Sequence, residues 1–171
     1  AGGMATASHT ASMAVNDVVL DGVLRQAGIL RAKTIDQMLS MIMGFQWSPL
    51  PLGNRIALVT FSGAQAIMSI DRASEVGLEL ARFSPQTLDR IGKVISTMPK
   101  RKNPVDTYPD MNIHGFEKTS LSILEALFED DGVDGIFFIS FASYGADTLR
   151  PLAQMIRGKA NKPVFRSEEH T

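Results

Sequence analysis

The chain has no cysteine, which excludes disulfide bonds, thiolate catalysis and cysteine-ligated metal sites. It also has little net charge, −1 from 17 basic and 18 acidic residues, so no overall field favours nucleic acid or an anionic membrane. No apolar run reaches the roughly 20 residues of a membrane-spanning helix, and the N-terminus lacks the pattern of a signal peptide. We therefore expect a cytoplasmic protein without nucleic-acid or membrane partners.

The sequence does contain enough apolar material for a core. Hydrophobic residues make up 44% of 171 residues, and the mean hydropathy is +0.04. This length suits one domain, or one domain plus part of another. The chain begins at Ala1 in what reads as the interior of a longer protein, so we expect a fragment.

Predicted strands and helices alternate through most of the chain. Apolar spacing and capping residues predict, in order, helix 14–28, a helix beginning at Thr34, strand 55–61, helix 64–76, strand 78–81, helix 84–97, loop 98–112, helix 114–129, strand 135–140, helix 146–158 and a strand beginning at 162–166. Near-continuous apolar runs such as 55–61 are typical of strands buried on both faces of a parallel sheet. The pattern predicts an α/β fold with a doubly wound parallel sheet, flavodoxin-like in size. The polar residues 166–171 predict a frayed end.

Two prolines and a glycine between Ser48 and Asn54 mark the best linker in the chain. It separates residues 1–48 from residues 49–171, which we predict to be two different domains.

His9 is the first candidate for chemistry. It lies between Ser8 and Thr10, after a run of small residues that would let the imidazole move toward a substrate. Imidazole changes charge near neutral pH and accepts a phosphoryl group as a nucleophile. The alternative is a solvated loop histidine without a role.

The second candidate is the turn Ser62-Gly63-Ala64-Gln65, which joins a predicted buried strand to its helix. A helix N-terminus at the carboxyl end of a strand offers free N–H groups to an anion, and Gly63 allows close approach. The simpler interpretation is a capping box of Ser62 and Gln65. The sequence has neither the GxxxxGK[ST] nor the GxGxxG phosphate motif.

The remaining polar positions favour structural roles. Asn103-Pro104-Val105-Asp106 is typical of a turn, although a loop at the edge of the sheet could also support a site. Residues 100–102 form a solvated basic patch, and His114 is placed at the start of a helix without neighbouring carboxylates that would indicate metal. We predict no metal site.

Three motifs in the same order resemble the NDP-forming acyl-CoA synthetases, the ADP-forming acetate–CoA ligases related to succinyl-CoA synthetase. Residues 8–17 and 24–31 are similar to the family's S-H-T-G-A-L-A-G-S-D and F-R-Q-A-G-V-I-R-V. Residues 51–60 are similar to the opening of its next domain, and residues 103–106 match its N-P-V-D. The resemblance extends to about Phe165.

The resemblance implies a reversible reaction in which acyl-CoA, phosphate and ADP give a carboxylic acid, CoA and ATP. An acyl phosphate forms first, and its phosphoryl group moves to a histidine, which by motif match is His9. In the succinyl-CoA synthetases two helix N-termini point at the phosphohistidine, and the second matches Ser62–Gln65. Asn103 and Asp106 would belong to a supporting loop.

The resemblance also implies what this chain lacks. Residues 1–48 would be the C-terminal part of a succinyl-CoA synthetase-like domain, and residues 49–171 the flavodoxin-like CoA-ligase domain. The CoA-binding and ATP-grasp domains, in the same chain or another subunit, would be its partners, with acyl-CoA as substrate and a possible homo-oligomer. CoA, ADP or ATP and Mg²⁺ would serve the complete enzyme; the fragment alone would bind none and be inactive.

Two departures from the family pattern affect the histidine loop. Ala11 replaces the usual glycine, which stiffens the loop, and Met13-Ala14-Val15 replaces Leu-Ala-Gly. Two alternatives therefore stay open: the CoA-sensing regulatory region of a protein lysine acyltransferase, or a flavodoxin-like binding module without chemistry.

Overall fold

The computed structural model describes residues 16–96, 102–141, 144–159 and 161–169, with residues 168 and 169 described by their backbone alone. Residues 1–43 and 44–171 form two compact units. The domain boundary after residue 48 stays a prediction. None of the helices among the described residues combines the length and the apolar character that a membrane-spanning segment needs.

The elements follow the predicted alternation. The helices are α1 (Asp17–Gln26), α2 (Ile35–Trp47), α3 (Gly63–Glu75), α4 (Pro85–Ile91), α5 (Tyr108–His114), α6 (Phe116–Phe128) and α7 (Ala146–Lys159). The strands are β1 (Arg55–Thr60), β2 (Glu79–Leu80), β3 (Val105–Asp106), β4 (Gly135–Phe141) and β5 (Val164–Glu169).

All strand pairs of the sheet are parallel. The order is β2-β1-β4-β5, and β3 pairs with β1 as well. On the edge of β1 away from β4, β2 pairs with Arg55 and Ile56 whereas β3 pairs with Val59 and Thr60. The α/β fold with a flavodoxin-like parallel sheet is therefore confirmed.

Apolar side chains are buried on both faces of the sheet. On one face a core cluster joins Ala57, Val59 and Phe138 of the sheet to helices α4, α6 and α7. On the other face Leu58 and Ile139 pack with residues of α3 and α5. Because consecutive strand residues alternate between faces, both sets are apolar, which explains the continuous apolar runs in the sequence.

The prediction of a loop over residues 98–112 is wrong in its second half. Val105 and Asp106 form β3, and Tyr108 begins α5 with Pro109 in its first turn. A two-residue strand has no periodicity to detect, and Pro104 beside Asn103 is a turn signal that masks it.

Three predicted boundaries also differ from the structure. Helix α4 ends at Ile91 instead of Thr97, because Gly92 follows and Ser96 donates its N–H and hydroxyl to Asp110. His114 ends α5 rather than beginning α6, since Gly115 has a φ of +85° and separates the two helices. Residues 166–169 are paired with β4, so the frayed end predicted from residue 166 is wrong there.

Helices α1 and α2 contain no buried residue. Val18 is 80% exposed and Trp47 70% exposed, although both lie in apolar stretches. Arg31 pairs with Asp17 and Asp21 at 2.6 and 2.7 Å, which ties the segment after α1 back to that helix. The predicted apolar stripe of α1 thus exists as a sequence pattern but is exposed in the described residues.

An ion pair joins the amino ends of β1 and β4. Asp134 accepts two hydrogen bonds from the Arg55 guanidinium, at 2.7 and 2.8 Å, and one from the Arg55 N–H at 3.0 Å. A Cβ on Gly53 would lie 2.5 Å from an Asp134 carboxylate oxygen, so only glycine fits beside this pair. The guanidinium lowers the pKa of Asp134 to about 2.

Replacing Asp134 by Asn is expected to lower the free energy of unfolding at pH 7 by about 1–3 kcal/mol, because Arg55 loses its charged partner. The folded-state pKa lies below the unfolded value, so this stabilisation is present above about pH 4 and is lost as the pH falls through about 2. Urea unfolding at pH 7 and near pH 2 measures it. The exposed Asp131→Asn is the control, and a difference independent of pH would contradict the assignment.

Candidate functional site

The carboxyl ends of β1, β3 and β4 meet at one edge of the sheet because the strands are parallel. Thr60, the last residue of β1, pairs with Asp106, the last residue of β3. The Ser62–Gln65 turn follows β1 directly, so it lies at the edge where open α/β sheets bind ligands. The predicted catalytic His9 lies outside the described residues.

Ser62 caps helix α3. Its backbone is extended, and its Oγ accepts the Gln65 N–H at 3.4 Å, which confirms the capping interpretation for the serine. The N–H groups of Gly63 and Ala64 have no acceptor among the described residues, and both residues are exposed. A Cβ on Gly63 would have no atom within 4 Å. Two backbone donors at the positive end of α3 are thus accessible to an anion.

Asn103 fills a gap in the hydrogen-bond ladder of β1. Its Oδ1 accepts the Leu58 N–H at 2.9 Å, and its Nδ2 donates to the carbonyls of Ile56 at 2.7 Å and Ala81 at 3.1 Å. Leu58 lies between the stretch of β1 that pairs with β2 and the stretch that pairs with β3, and the Ile56 carbonyl also accepts the Ala81 N–H at 2.8 Å. The side-chain amide therefore takes the place of a strand peptide beside β1 and connects β1 to the residue that follows β2.

Asp106 forms a local turn at the same edge. Its Oδ1 accepts the Tyr108 N–H at 3.0 Å, which closes the turn that starts α5. The turn interpretation of residues 103–106 is therefore confirmed for Asp106 but is wrong for Asn103, whose amide bonds distant groups on and beside β1. A supporting role of Asn103 and Asp106 in a reaction stays a prediction.

An aromatic cluster at the carboxyl edge was not predicted from the sequence. The rings of Phe61 and Phe141 stack with centroids 3.6 Å apart, and Tyr144 packs on Phe116 at 4.1 Å. Burial raises the pKa of Tyr144. Phe61 precedes Ser62, and Phe141 ends β4, so the cluster joins the ends of the two central strands. The sequence pattern that could have indicated this cluster is an aromatic residue at the end of each of the two apolar runs, 55–61 and 135–141.

The other predicted polar positions add little to this edge. Lys102 is exposed, and residues 100 and 101 lie outside the described part of the chain. His114 is half-buried at the end of α5. No cluster of three His, Asp or Glu residues that could hold a metal ion occurs among the described residues.

A cavity of about 340 Å³ lies at the opposite end of the sheet. It is lined by α3 and by the first residues of β1, β4 and β5, with Met68, Phe137 and Phe165 among its walls. Arg72 is the charged residue of the lining, and it pairs with Glu75 at 2.7 Å. With so few polar groups, the cavity lacks the means for acid–base or nucleophilic chemistry.

Comparisons with known proteins point to one group of ligases. Residues 1–45 match the family model described as succinyl-CoA ligase like flavodoxin domain. The chain is 35% identical over 166 residues to acetate–CoA ligase [ADP-forming] II of Archaeoglobus fulgidus, covering 96% of this chain and 24% of that protein. It is 35% identical over 133 residues to the alpha subunit of acetate–CoA ligase [ADP-forming] II of Pyrococcus furiosus, covering 78% and 28%. The chain thus spans about a quarter of these curated relatives.

Solved structures share the fold. A crystal structure from Pyrococcus horikoshii OT3 has a TM-score of 0.77 at 27% identity and covers 92% of this chain and 37% of that one. A dinucleotide-forming acetyl-coenzyme A synthetase from Ca. Korarchaeum cryptofilum, solved with phosphate and ADP, has a TM-score of 0.79. Its 23% identity, over 96% of this chain and 36% of that one, makes it a likeness of fold alone.

Replacing Asn103 by Asp is expected to lower the free energy of unfolding by about 2–3 kcal/mol. The carboxylate would lose both donated hydrogen bonds and would lie beside the carbonyl oxygens of Ile56 and Ala81. Thermal or urea unfolding at pH 7 measures the loss. Asn112→Asp, on the exposed side of α5, is the matched control; equal losses in both variants would refute the role of the Asn103 amide.

Proposed function

Because this chain belongs to the NDP-forming acyl-CoA synthetase family, we propose that it is part of an enzyme that interconverts acyl-CoA, ADP and phosphate with a carboxylic acid, CoA and ATP. The observation that carries the proposal is the 35% identity to an ADP-forming acetate–CoA ligase across 96% of the chain. The chain would supply the phosphoryl-carrying histidine and one of the structures that hold the phosphoryl group.

The proposed reaction has three transfers. A phosphate oxygen attacks the thioester carbonyl of acyl-CoA, and the CoA thiolate leaves, which gives an acyl phosphate. A ring nitrogen of His9 then attacks phosphorus, and the carboxylate leaves. A terminal phosphate oxygen of ADP finally attacks the phosphohistidine, which gives ATP and restores the neutral imidazole.

The N-terminus of α3 would hold a phosphoryl group during the reaction. Gly63 and Ala64 supply the free N–H groups, whereas the Gln65 N–H is engaged by Ser62. Since the Ser62 oxygen accepts that bond, its own hydroxyl proton is available for an anion. These donors and the helix dipole offset the phosphoryl charge.

Helix α3 suits this role better than the neighbouring helix that follows β4. The first turn of α3 contains no acidic residue, so nothing there repels a dianion. The first turn of α7 contains Asp147, which pairs with Arg150 at 2.7 Å. A carboxylate at that position favours the helix but disfavours a second anion.

The complete enzyme would need partners that this chain does not contain. We propose CoA-binding and ATP-grasp domains, in the same chain or another subunit, with CoA, ADP or ATP and Mg²⁺ bound mainly by them. The chain alone would be inactive. We place the enzyme in the cytoplasm, as a possible homo-oligomer, without nucleic acid or membrane as partner.

Labelled ATP with Mg²⁺ is expected to phosphorylate the complete protein on His9. The label should be stable in base, labile in acid, absent in His9→Ala and present in His114→Ala, which removes a half-buried histidine elsewhere. Autoradiography after acid and base treatment measures it. No label in a protein that still binds acyl-CoA would overturn the ligase proposal.

A carboxylate at position 63 is expected to remove phosphoryl binding without unfolding α3. Gly63→Asp places a negative charge where the phosphoryl group would bind, while an acidic residue in the first turn stabilises a helix by about 0.3–1 kcal/mol. Gly63→Ala keeps the N–H and fits the open space, so it is the matched control. The phosphohistidine level and the melting temperature measure both effects. Equal labelling of the two variants would exclude this turn as the anion site.

A further inference from the structure

Two buried threonines fix the turn between β1 and α3. The Thr60 Oγ1 accepts the Ser62 N–H at 3.0 Å and donates its own proton to the Ser62 carbonyl at 3.1 Å. One hydroxyl thus satisfies both backbone groups of the residue that begins the turn. Because Thr60 is 0% exposed, water cannot replace this hydroxyl.

Thr107 holds Thr60 from the neighbouring strand. Its N–H and its hydroxyl both donate to the Thr60 carbonyl, at 2.8 and 3.1 Å, and the residue is 4% exposed. Thr107 follows β3 directly, so its position depends on the pairing of β3 with β1 and on the Asn103 amide in the adjacent gap. The hydrogen bonds therefore form a path from Thr107 through Thr60 to Ser62, and the backbone of β3 connects this path to Asn103.

The path determines which backbone donors remain accessible. The Ser62 N–H is engaged by Thr60, and the Gln65 N–H is engaged by Ser62. Gly63 and Ala64 lie between them. With the residues on both sides fixed by hydrogen bonds, the orientation of these two N–H groups is set before any ligand binds, which lowers the cost of ordering them.

We propose that Thr60 and Thr107 are positioning residues that orient the Gly63 and Ala64 N–H groups toward the phosphoryl group. The inference rests on the proposed function, since it concerns the same turn. Neither hydroxyl touches the reacting atoms; each acts through the backbone of Ser62 or Thr60. Their loss should weaken the binding of phosphate and phosphohistidine more than it weakens the fold.

The test replaces each hydroxyl by a methyl group of nearly the same volume. Thr60→Val removes both hydroxyl bonds to Ser62, and Thr107→Val removes the hydroxyl bond to the Thr60 carbonyl while its N–H bond stays. Thr60→Ser and Thr107→Ser keep all of these bonds. The control is Thr87→Val in α4, away from this turn, since Thr87 is 3% exposed and its hydroxyl accepts a hydrogen bond from the hydroxyl of Ser84, the N-cap of that helix. All variants are made in the complete enzyme and assayed for melting temperature, phosphate KM, kcat and phosphohistidine level.

The expected result is a phosphate KM raised about tenfold in Thr107→Val, which loses one buried hydrogen bond, and at least as much in Thr60→Val, which loses two. The phosphohistidine level at limiting phosphate should fall to match. The serine variants and Thr87→Val should keep the wild-type phosphate KM. The melting temperature of Thr87→Val should fall by as much as that of the other valine variants. If Thr60→Val does not fold, the comparison of Thr107→Val with Thr107→Ser tests the inference.

Two outcomes would overturn the inference while the proposed function stands. If the valine variants keep the wild-type phosphate KM, the hydroxyls do not orient the N–H groups. If the serine variants are as impaired as the valine variants, the effect comes from the packing of the side chain and not from its hydroxyl. Failure of the proposed function has a different signature: the wild-type enzyme itself would carry no label on His9, and the inference would fall with it.

Discussion

The pairing of β1 on both edges is the constraint on which the rest of this structure depends. On one edge β1 pairs with β4, which is the second central strand of the sheet. The other edge of β1 is divided, because β2 and β3 each pair with two of its residues, and the Asn103 amide accepts the N–H of Leu58, which lies between them. A buried strand must have its N–H and carbonyl groups satisfied, so this divided edge is as necessary as the continuous one.

The two ends of β1 are fixed by different chemistry. At the amino end an ion pair between Arg55 and Asp134 holds β1 beside β4. At the carboxyl end the contacts are neutral hydrogen bonds of buried threonines, and the helix start beyond them carries no acidic side chain. This division places the Arg55–Asp134 ion pair at the end of the sheet opposite to the N-terminus of α3, where backbone dipoles face an anion.

The sequence predicted the elements with strong periodicity and missed those set by distant contacts. Strands β1 and β4 are long apolar runs, and Ser62 and Ser84 are clear helix caps, so these were confirmed. The strand β3 has two residues and exists only because β1 lies beside it. The partner of the Asn103 amide is 45 residues away, and no local pattern contains that information. The assignment of His9 came from the family motif and stays a prediction.

The Asn103 amide also limits how the length of this chain can change during evolution. The amide must reach Leu58 while Val105, two residues later, pairs with Val59. An inserted or deleted residue between them would break one of these two attachments, because a strand advances about 3.3 Å per residue. Insertions and deletions among homologues should therefore be excluded from residues 103–106, even though this segment has the composition of a surface turn, where length variation is otherwise most common.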